Sequence, residues 1–236
     1  IKKGQTPFYE KGLEKNLKNA LKKGLTLSNN IENIKFSKFV IVTIGTSSTK
    51  KSIDLFNSLL KKVLKNMENE ASLILRSTVT ENDIAKIKKN RHYINKNIKL
   101  TYCPERIAEG SAFEELGSLQ QIIGADNKEN YKIIQEFFLN LNIKTINTSI
   151  KYAVFIKLFS NAYRHANFSI INEFYNIAFE NNINFSEIKN IATKKYPRLN
   201  KLPMTGYVGG PCLPKDLETF IKSYDVKNSL LNKLAY

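Results

Sequence analysis

A cysteine and a carboxylate four residues apart, Cys212 and Asp216, stand in the stretch Tyr207-Val-Gly-Gly-Pro-Cys-Leu-Pro-Lys-Asp216. Gly206, Gly209 and Gly210 admit backbone angles closed to other residues and let another group come close. Pro211 and Pro214 bracket the thiol and stiffen the loop. An apolar-periodic run begins at Leu217, which sets Asp216 at the start of a helix, where a carboxylate is favoured. A thiol near a helix N-terminus and beside Lys215 has surroundings that favour the thiolate, the nucleophilic form. A buried structural cysteine in a Pro/Gly loop fits the same residues equally well, because free Cys commonly behaves as a small hydrophobe.

A second set lies upstream. Lys157, Asn161 and Arg164 fall at i, i+4 and i+7 of a segment unbroken by Pro or Gly, with His165 beside them. They share one helix face. An ordinary solvated stripe would look the same. The flanks, Phe155, Ile156, Leu158 and Phe159 before and Phe168, Ile170 and Ile171 after, are apolar and point instead to a buried site or cleft.

These residues must be held by a fold, and 236 residues with 42% hydrophobic content suffice for a substantial core in one or two domains. Two distant cysteines, Cys103 and Cys212, make neither a disulfide framework nor a zinc pattern and suit a reducing, cytoplasmic compartment. His92 and His165 are the only histidines, so no metal site is expected. No apolar run is long enough to span a membrane. The net charge of +16 raises nucleic acid as a partner. The lysines, however, are scattered and accompany no nucleic-acid motif, so they read as solvated surface. They equally suit an anionic small substrate such as a nucleotide.

Periodicity predicts an amphipathic helix over 7–27, a connector over 32–37 and a buried parallel-type strand over 39–44, then a helix over 51–66 with Leu55, Leu59, Leu60, Val63 and Leu64 on one side. Strands at 71–75, 98–102, 121–124 and 143–146 alternate with helices at 81–90 and 127–140. A helix over 150–182 and another over 186–194 lead to the cysteine loop. The alternation means an α/β fold with a mostly parallel sheet, whose ligands bind at the carboxyl ends of the strands. Three polar clusters fall there: Gly45-Thr46, Ser77-Thr78 and Pro104-Glu105-Arg106. No G-x-G-x-x-G occurs, and the glycines at 206, 209 and 210 follow no strand, so they are not a phosphate loop.

Taken in order, these residues resemble the nucleotide-sugar 6-dehydrogenase family, which includes UDP-glucose, GDP-mannose and UDP-N-acetylhexosamine dehydrogenases. Pro7-Phe-Tyr-Glu-Lys-Gly-Leu13 is similar to its P-F/I-Y-E-P-G-L segment, and Val42-Thr-Ile-Gly-Thr46 to V-x-V-G-T. Arg76-Ser-Thr-Val79 matches R/K-S-T-V, and Pro104-Glu-Arg-Ile-Ala-Glu-Gly110 resembles P-E-R-x-x-x-G. Lys157-Leu-Phe-Ser-Asn-Ala-Tyr-Arg164 looks like K-L-x-x-N-x-F/Y-R, and Gly209-Gly-Pro-Cys-Leu-Pro-Lys-Asp216 matches the cysteine box G-G-x-C-L/F/I-x-x-D. Each motif is weak alone; six in the family's order cover nearly the whole chain.

The resemblance implies a partial Rossmann-like parallel sheet over 1–148, lacking its first βαβ unit, and a helical central domain over 149–236. That second domain would carry the cysteine loop and a long dimerisation helix at 150–182, giving a homodimer. The C-terminal nucleotide domain of the family would be missing almost wholly. The implied reaction oxidises the C6 hydroxyl of a UDP-sugar to a carboxylate with NAD. Cys212 would be the nucleophile, Lys157 and Asn161 the oxyanion donors, and Glu105 a general base; Asp216 and Thr78 would hold a water or the substrate alcohol. Gly45, Thr46, Ser77 and Thr78 would line the cofactor. Glu105, Arg106, Lys157, Asn161, Arg164, Arg198 and Gly209 would bind substrate. Cys103 ends a strand and reads as structural. Pro-Glu-Arg at 104–106 resembles the UDP-N-acetylmannosamine and UDP-N-acetylglucosamine branch, whereas Lys215-Asp216 resembles the UDP-glucose and GDP-mannose type. The competing readings are a non-catalytic dimerisation fragment and a basic nucleic-acid binder.

Overall fold

A computed structural model describes residues 1, 3–47, 49–108, 110–208, 210, 212–227 and 229–234. By contacts the chain forms two compact units, Ile1–Lys157 and Leu158–Tyr236.

The first unit is built on a five-stranded sheet in the order β1-β2-β3-β4-β5. Helix α1 (Leu13–Lys22) precedes it, shorter than the predicted 7–27 because glycines at positive φ bound it, Gly12 at +82° and Gly24 at +99°. The 32–37 connector is a 3-10 turn, Ile31–Phe36. Strand β1 (Phe39–Val42), helix α2 (Lys50–Asn66), strand β2 (Ser72–Leu75), helices α3 (Glu81–Lys88) and α4 (Arg91–Asn95) and strand β3 (Lys99–Tyr102) follow. Then come α5 (Ala112–Ser118), β4 (Gln121–Ala125), α6 (Lys128–Leu139) and β5 (Thr145–Thr148). Side-chain caps set several helix starts: Thr49 accepts from the Ser52 amide, Thr80 and Asp83 form a capping box, and Asn127 accepts from the Asn130 amide.

Strands β1, β2 and β3 are parallel and in register, with Val42, Leu75 and Tyr102 in one line, so all three end together. The largely apolar Ser72–Leu75 strand lies inside the sheet between β1 and β3 and is wholly buried, as a parallel strand covered on both faces requires. Cys103 joins Ile74, Ile123, Ile134, Phe138 and Ile143 in one buried cluster.

Several expectations are corrected. Strand β1 stops at Val42 and lies at the sheet edge, so Ile41 is exposed while Val40 and Val42 are buried. On α2, Phe56 takes the buried place expected for Leu55, which is exposed. Strand β4 runs antiparallel to β3 while the other pairings are parallel, so the sheet is mostly parallel, as expected, with one reversed pairing. Strand β5 begins two residues late because Ile143 drops into the core after Asn142, at φ 59°, turns the chain. The short helices α4 and α5 had no periodic signal. Gly124 on β4 is needed for close approach: a Cβ there would lie 2.7 Å from the Ala153 Cβ and 2.9 Å from the Ile150 Cα.

Helix α7 (Ile150–Glu180) ends two residues before the predicted boundary, with Asn182 in the left-handed region. In the second unit it is followed by α8 (Phe185–Thr193), a 3-10 turn at Pro197–Leu199, α9 (Cys212–Ser223) and α10 (Leu230–Leu234). The core of this unit buries Leu158, Ala162, Ile171 and Ala178 of α7 and Leu213, Leu217 and Phe220 of α9. The approach to the cysteine loop is pinned twice. Asn172 and Gly206 exchange hydrogen bonds of 2.7 and 2.9 Å, and Lys189 Nζ donates to the Pro203 carbonyl at 2.9 Å.

Candidate active site

In the first unit the site is assembled at the aligned ends of β1, β2 and β3. The Val42 carbonyl accepts from the Arg76 and Ser77 amides at 2.9 and 3.2 Å, and Thr46 Oγ1 donates to the Thr78 carbonyl at 3.1 Å. These bonds bring together the four residues expected at the cofactor, Gly45, Thr46, Ser77 and Thr78. A Cβ built on Gly45 meets nothing within 4 Å.

Arg76 leaves the end of the buried strand β2 with only 12% of its side chain exposed. A guanidinium so placed needs carboxylate or carbonyl partners. Nη2 pairs with the Glu105 carboxylate, Nη1 donates to Gln121 Oε1 at 2.7 Å, and the Phe138 ring lies 5.8 Å from Cζ. Gln121 is within reach because β4 is antiparallel: Tyr102 faces Gly124, which returns the start of β4 to the level of Pro104 and Glu105. Its amide donates to the Pro104 carbonyl at 3.2 Å.

The other Glu105 oxygen accepts from the Arg106 and Ile107 amides at 2.8 and 3.0 Å. Burial pushes the Glu105 carboxyl up, but the Arg76 charge, the Arg76 hydrogen bond and these two amides outweigh it. The net effect holds the carboxyl below the usual carboxylate range. Lys157 Nζ donates to the Glu105 peptide carbonyl at 2.6 Å. Arg106 turns to the Gln120 carbonyl at 2.7 Å. Burial pushes the Cys103 thiol up to about 12, with Arg76 and Thr101 pulling the other way, so it stays protonated.

In the second unit, Asn161 Nδ2 donates to Asp216 Oδ2 at 2.6 Å, and both side chains are buried. The other oxygen, Oδ1, lies at ion-pair distance from Lys215 Nζ, 3.1 Å, yet accepts no hydrogen bond from the described residues. The distance alone does not satisfy a lone pair, so Oδ1 keeps acceptor capacity. Asp216 does not start the helix. Helix α9 begins at Cys212, four residues earlier, because Pro214 sits in its first turn, where the missing N–H costs nothing. Cys212 is exposed and Asp216 buried one turn along the same side of α9.

The polar stripe on α7 is therefore no uniform solvated face: Lys157 is half-buried, Asn161 buried and Arg164 exposed. His165 is also buried; its ring nitrogen Nδ1 is 3.4 Å from Ser169 Oγ, and burial lowers its pKa. Arg198 is exposed and lies over the Tyr196 ring, 4.6 Å from Cζ to the centroid. Gly209, expected at the substrate, lies outside the described residues, as do Glu109 and Pro211. Arg76 and Gln121 are the residues that site reasoning passed over. An arginine closing the most apolar strand was the available signal. Among the described residues no group of three or more His, Cys, Asp or Glu could hold a metal, and no helix is long and apolar enough to cross a membrane.

Sheet and strand-end loops define an NAD-binding domain of the dehydrogenase type: residues 1–142 match the model of the UDP-glucose/GDP-mannose dehydrogenase family NAD binding domain. Residues 151–234 match that family's central domain, and the chain belongs to the UDP-glucose/GDP-mannose dehydrogenase family. It is 30% identical over 224 residues to a UDP-N-acetyl-D-mannosamine dehydrogenase of Methanococcus vannielii, covering 92% of this chain and 51% of the relative. The chain thus spans about half the length of the curated relatives it matches. The UDP-D-ManNAc dehydrogenase structure from Pyrococcus horikoshii superposes with a TM-score of 0.90 at 23% identity, over 100% of this chain and 58% of that one. The structure of a UDP-N-acetyl-mannosamine dehydrogenase from S. aureus gives 0.78 at 26% identity, over 99% of this chain and 58% of that one.

Proposed function

We propose that this chain supplies the cofactor-side and cysteine-bearing parts of a dehydrogenase that oxidises the C6 hydroxyl of a UDP-N-acetylhexosamine, UDP-N-acetylmannosamine foremost, to the carboxylate. Residues 1–148 form its cofactor side and 149–236 its central domain. The observation that carries this reading is the pairing of Asn161 with the buried Asp216, one turn along α9 from an exposed Cys212. Such a carboxylate is expensive to bury without a task. The name of the Methanococcus vannielii relative and the Pro104-Glu105-Arg106 sequence favour the N-acetylmannosamine substrate.

Gly45, Thr46, Ser77 and Thr78 fit the nicotinamide end of NAD: the side chains are small, and the space above Gly45 is open. The sequence holds no G-x-G-x-x-G, so these residues are not a pyrophosphate cradle. When bound, two NAD+ in succession take up the two hydrides released at C6, and the hydroxyl proton passes to solvent. The chain's own groups manage the rest. Thr78 holds the substrate alcohol. The Cys212 thiolate adds to the C6 aldehyde, forming a carbon–sulfur bond and an oxyanion on C6. Lys157 stabilises that oxyanion, and Asn161 adds a hydrogen bond, having a second amide proton beyond the one given to Asp216. Loss of the second hydride leaves a thioester on Cys212. A water oriented by Asp216 Oδ1 cleaves the carbon–sulfur bond, returning the thiol and releasing the carboxylate. Glu105, Arg106, Arg164, Arg198 and Gly209 complete the substrate contacts. Held by Arg76 and two amides, the Glu105 carboxylate is a weak base, and its place in this scheme is to set the loop at the substrate.

A homodimer and a cytoplasmic setting belong to the same reading. Phe159, Tyr163, Ile170, Phe174 and Ile177 recur along α7 at helical spacing and are all exposed, a surface suited to a second copy. Incubation with NAD+ and UDP-N-acetylmannosamine tests the function. Two equivalents of NADH per sugar are expected, and UDP-glucose should be turned over more slowly. A rate with UDP-glucose or GDP-mannose above that with the N-acetylated sugar would favour the other branch. A chain that binds no NAD+ in calorimetry but dimerises would be the non-catalytic fragment.

A further inference from the structure

We propose that Arg76 is a positioning residue for Lys157, acting through the backbone of Glu105. After Cys103, whose amide still donates to the Leu75 carbonyl of β2, residues 104–108 form neither strand nor helix, so their amides lack ladder partners. Side-chain carboxylates serve them instead. Glu105 takes the Arg106 and Ile107 amides, Glu115 takes Ala108 at 2.6 Å, and Glu10 takes Gly110 and Ala112 at 2.8 and 3.0 Å. Among the described residues, Glu105 is the one of these three carboxylates joined to a cation, the Arg76 guanidinium. Arg76 is the post: its amide is tied to Val42, and its guanidinium is held by Gln121 and covered by Phe138. Both Glu105 oxygens are engaged, so the carboxylate acts as a strut that sets the 105–107 backbone.

That backbone presents the Glu105 carbonyl to Lys157 Nζ. A carbonyl fixes the ammonium's position and, being uncharged, does not itself cancel the charge that the function proposed above assigns to the substrate oxyanion. The significance for catalysis rests on the function proposed above; the relay itself does not. Among the described residues, the charged groups that meet Glu105 or its loop are Arg76 after β2, Lys157 from α7, and Arg106 and Glu115 from the loop and α5. Arg106 is spent on Gln120 and Glu115 on Ala108.

Carboxyl-13C labelling of Glu105 and Cε-13C labelling of Lys157 test the relay by NMR in the 236-residue chain. In Arg76→Met the Glu105 titration should move to higher pH and the Lys157 resonance should shift. In Arg76→Lys the charge persists but the fork is lost, so the Glu105 titration should return most of the way while the Lys157 resonance stays displaced. An unmoved Lys157 resonance in Arg76→Met overturns the relay, whether or not Glu105 responds. Should Arg76→Met fail to fold, Arg76→Lys carries the same decision. These spectra need no turnover, so a chain inactive on every nucleotide sugar would refute the function and leave the relay standing. In an active protein Arg76→Met should lower kcat roughly 10- to 100-fold, with KM for the sugar little changed.

Discussion

Lys157 donates its hydrogen bond to the peptide carbonyl of Glu105, not to the carboxylate, which Arg76 occupies. The two cations that meet Glu105, Arg76 after β2 and Lys157 on α7, are thereby kept apart in role. Arg76 pairs with the Glu105 carboxylate, and the peptide carbonyl, being uncharged, does not itself cancel the charge of Lys157; in the function proposed above that charge serves an oxyanion. A direct Lys157–Glu105 ion pair would have cancelled that charge.

The Glu105 carboxyl is held below its ordinary value in the folded chain, so folding favours its ionised form. Its contribution to stability is present above the unfolded carboxyl pKa and disappears as pH falls through the lower, folded value. Arg76→Met removes the main cause. Urea midpoints of wild type and Arg76→Met should differ near neutral pH and converge in acid. A difference that grows on acidification would contradict the assignment.

Asp216 is 1% exposed and hydrogen-bonded to Asn161. Asn161→Ala strips that bond from a buried carboxylate and should destabilise the chain by about 1–3 kcal/mol. Asp216→Asn keeps the shape and should cost less. Denaturant unfolding of the two variants checks the order.

The two thiols should separate cleanly. Cys103 is buried, and at pH 8 its thiolate fraction is of the order of one in ten thousand, given a pKa near 12. Cys212 is exposed. A maleimide applied to the native chain should modify Cys212 alone, and Cys103 only after denaturant. Equal labelling of both in the native state would sink this reading.

Gly124→Ala should lower the melting temperature. Its methyl group would lie 2.7 Å from the Ala153 Cβ and 2.9 Å from the Ile150 Cα, so either the start of α7 or the strand must move. Overpacking of this kind costs about 1–3 kcal/mol. Calorimetry reads it directly.

Much of this was legible in the residues, and what was not has physical causes. The run Ser72–Leu75 announces a buried strand because both faces are apolar, and the polar clusters after β1, β2 and β3 fall at its level through a register that parallel pairing keeps. The direction of β4 was hidden, since apolar content does not say which way a strand runs. With it went Gln121, which reaches Arg76 only because β4 is antiparallel. The Arg76–Glu105 pair spans 29 positions and depends on strand register, not on local spacing. Pro214 suggested a stiff loop ahead of a helix; it lies inside the first turn, and that moves Cys212 onto the helix itself. The contact of Asn161 with Asp216 joins α7 to α9 across 55 positions, beyond any periodicity argument.

In the proposed reaction Cys212 becomes covalently attached to C6 of the sugar. Rapid acid quenching of the chain during turnover with NAD+ and UDP-N-acetylmannosamine, followed by peptide mass spectrometry, tests it most directly. The account predicts a Cys212 peptide heavier by the acyl-linked nucleotide sugar, absent without NAD+ and absent in Cys212→Ala, whose NADH production should fall about a thousandfold or more. An unmodified Cys212 peptide together with undiminished NADH formation by Cys212→Ala would contradict it.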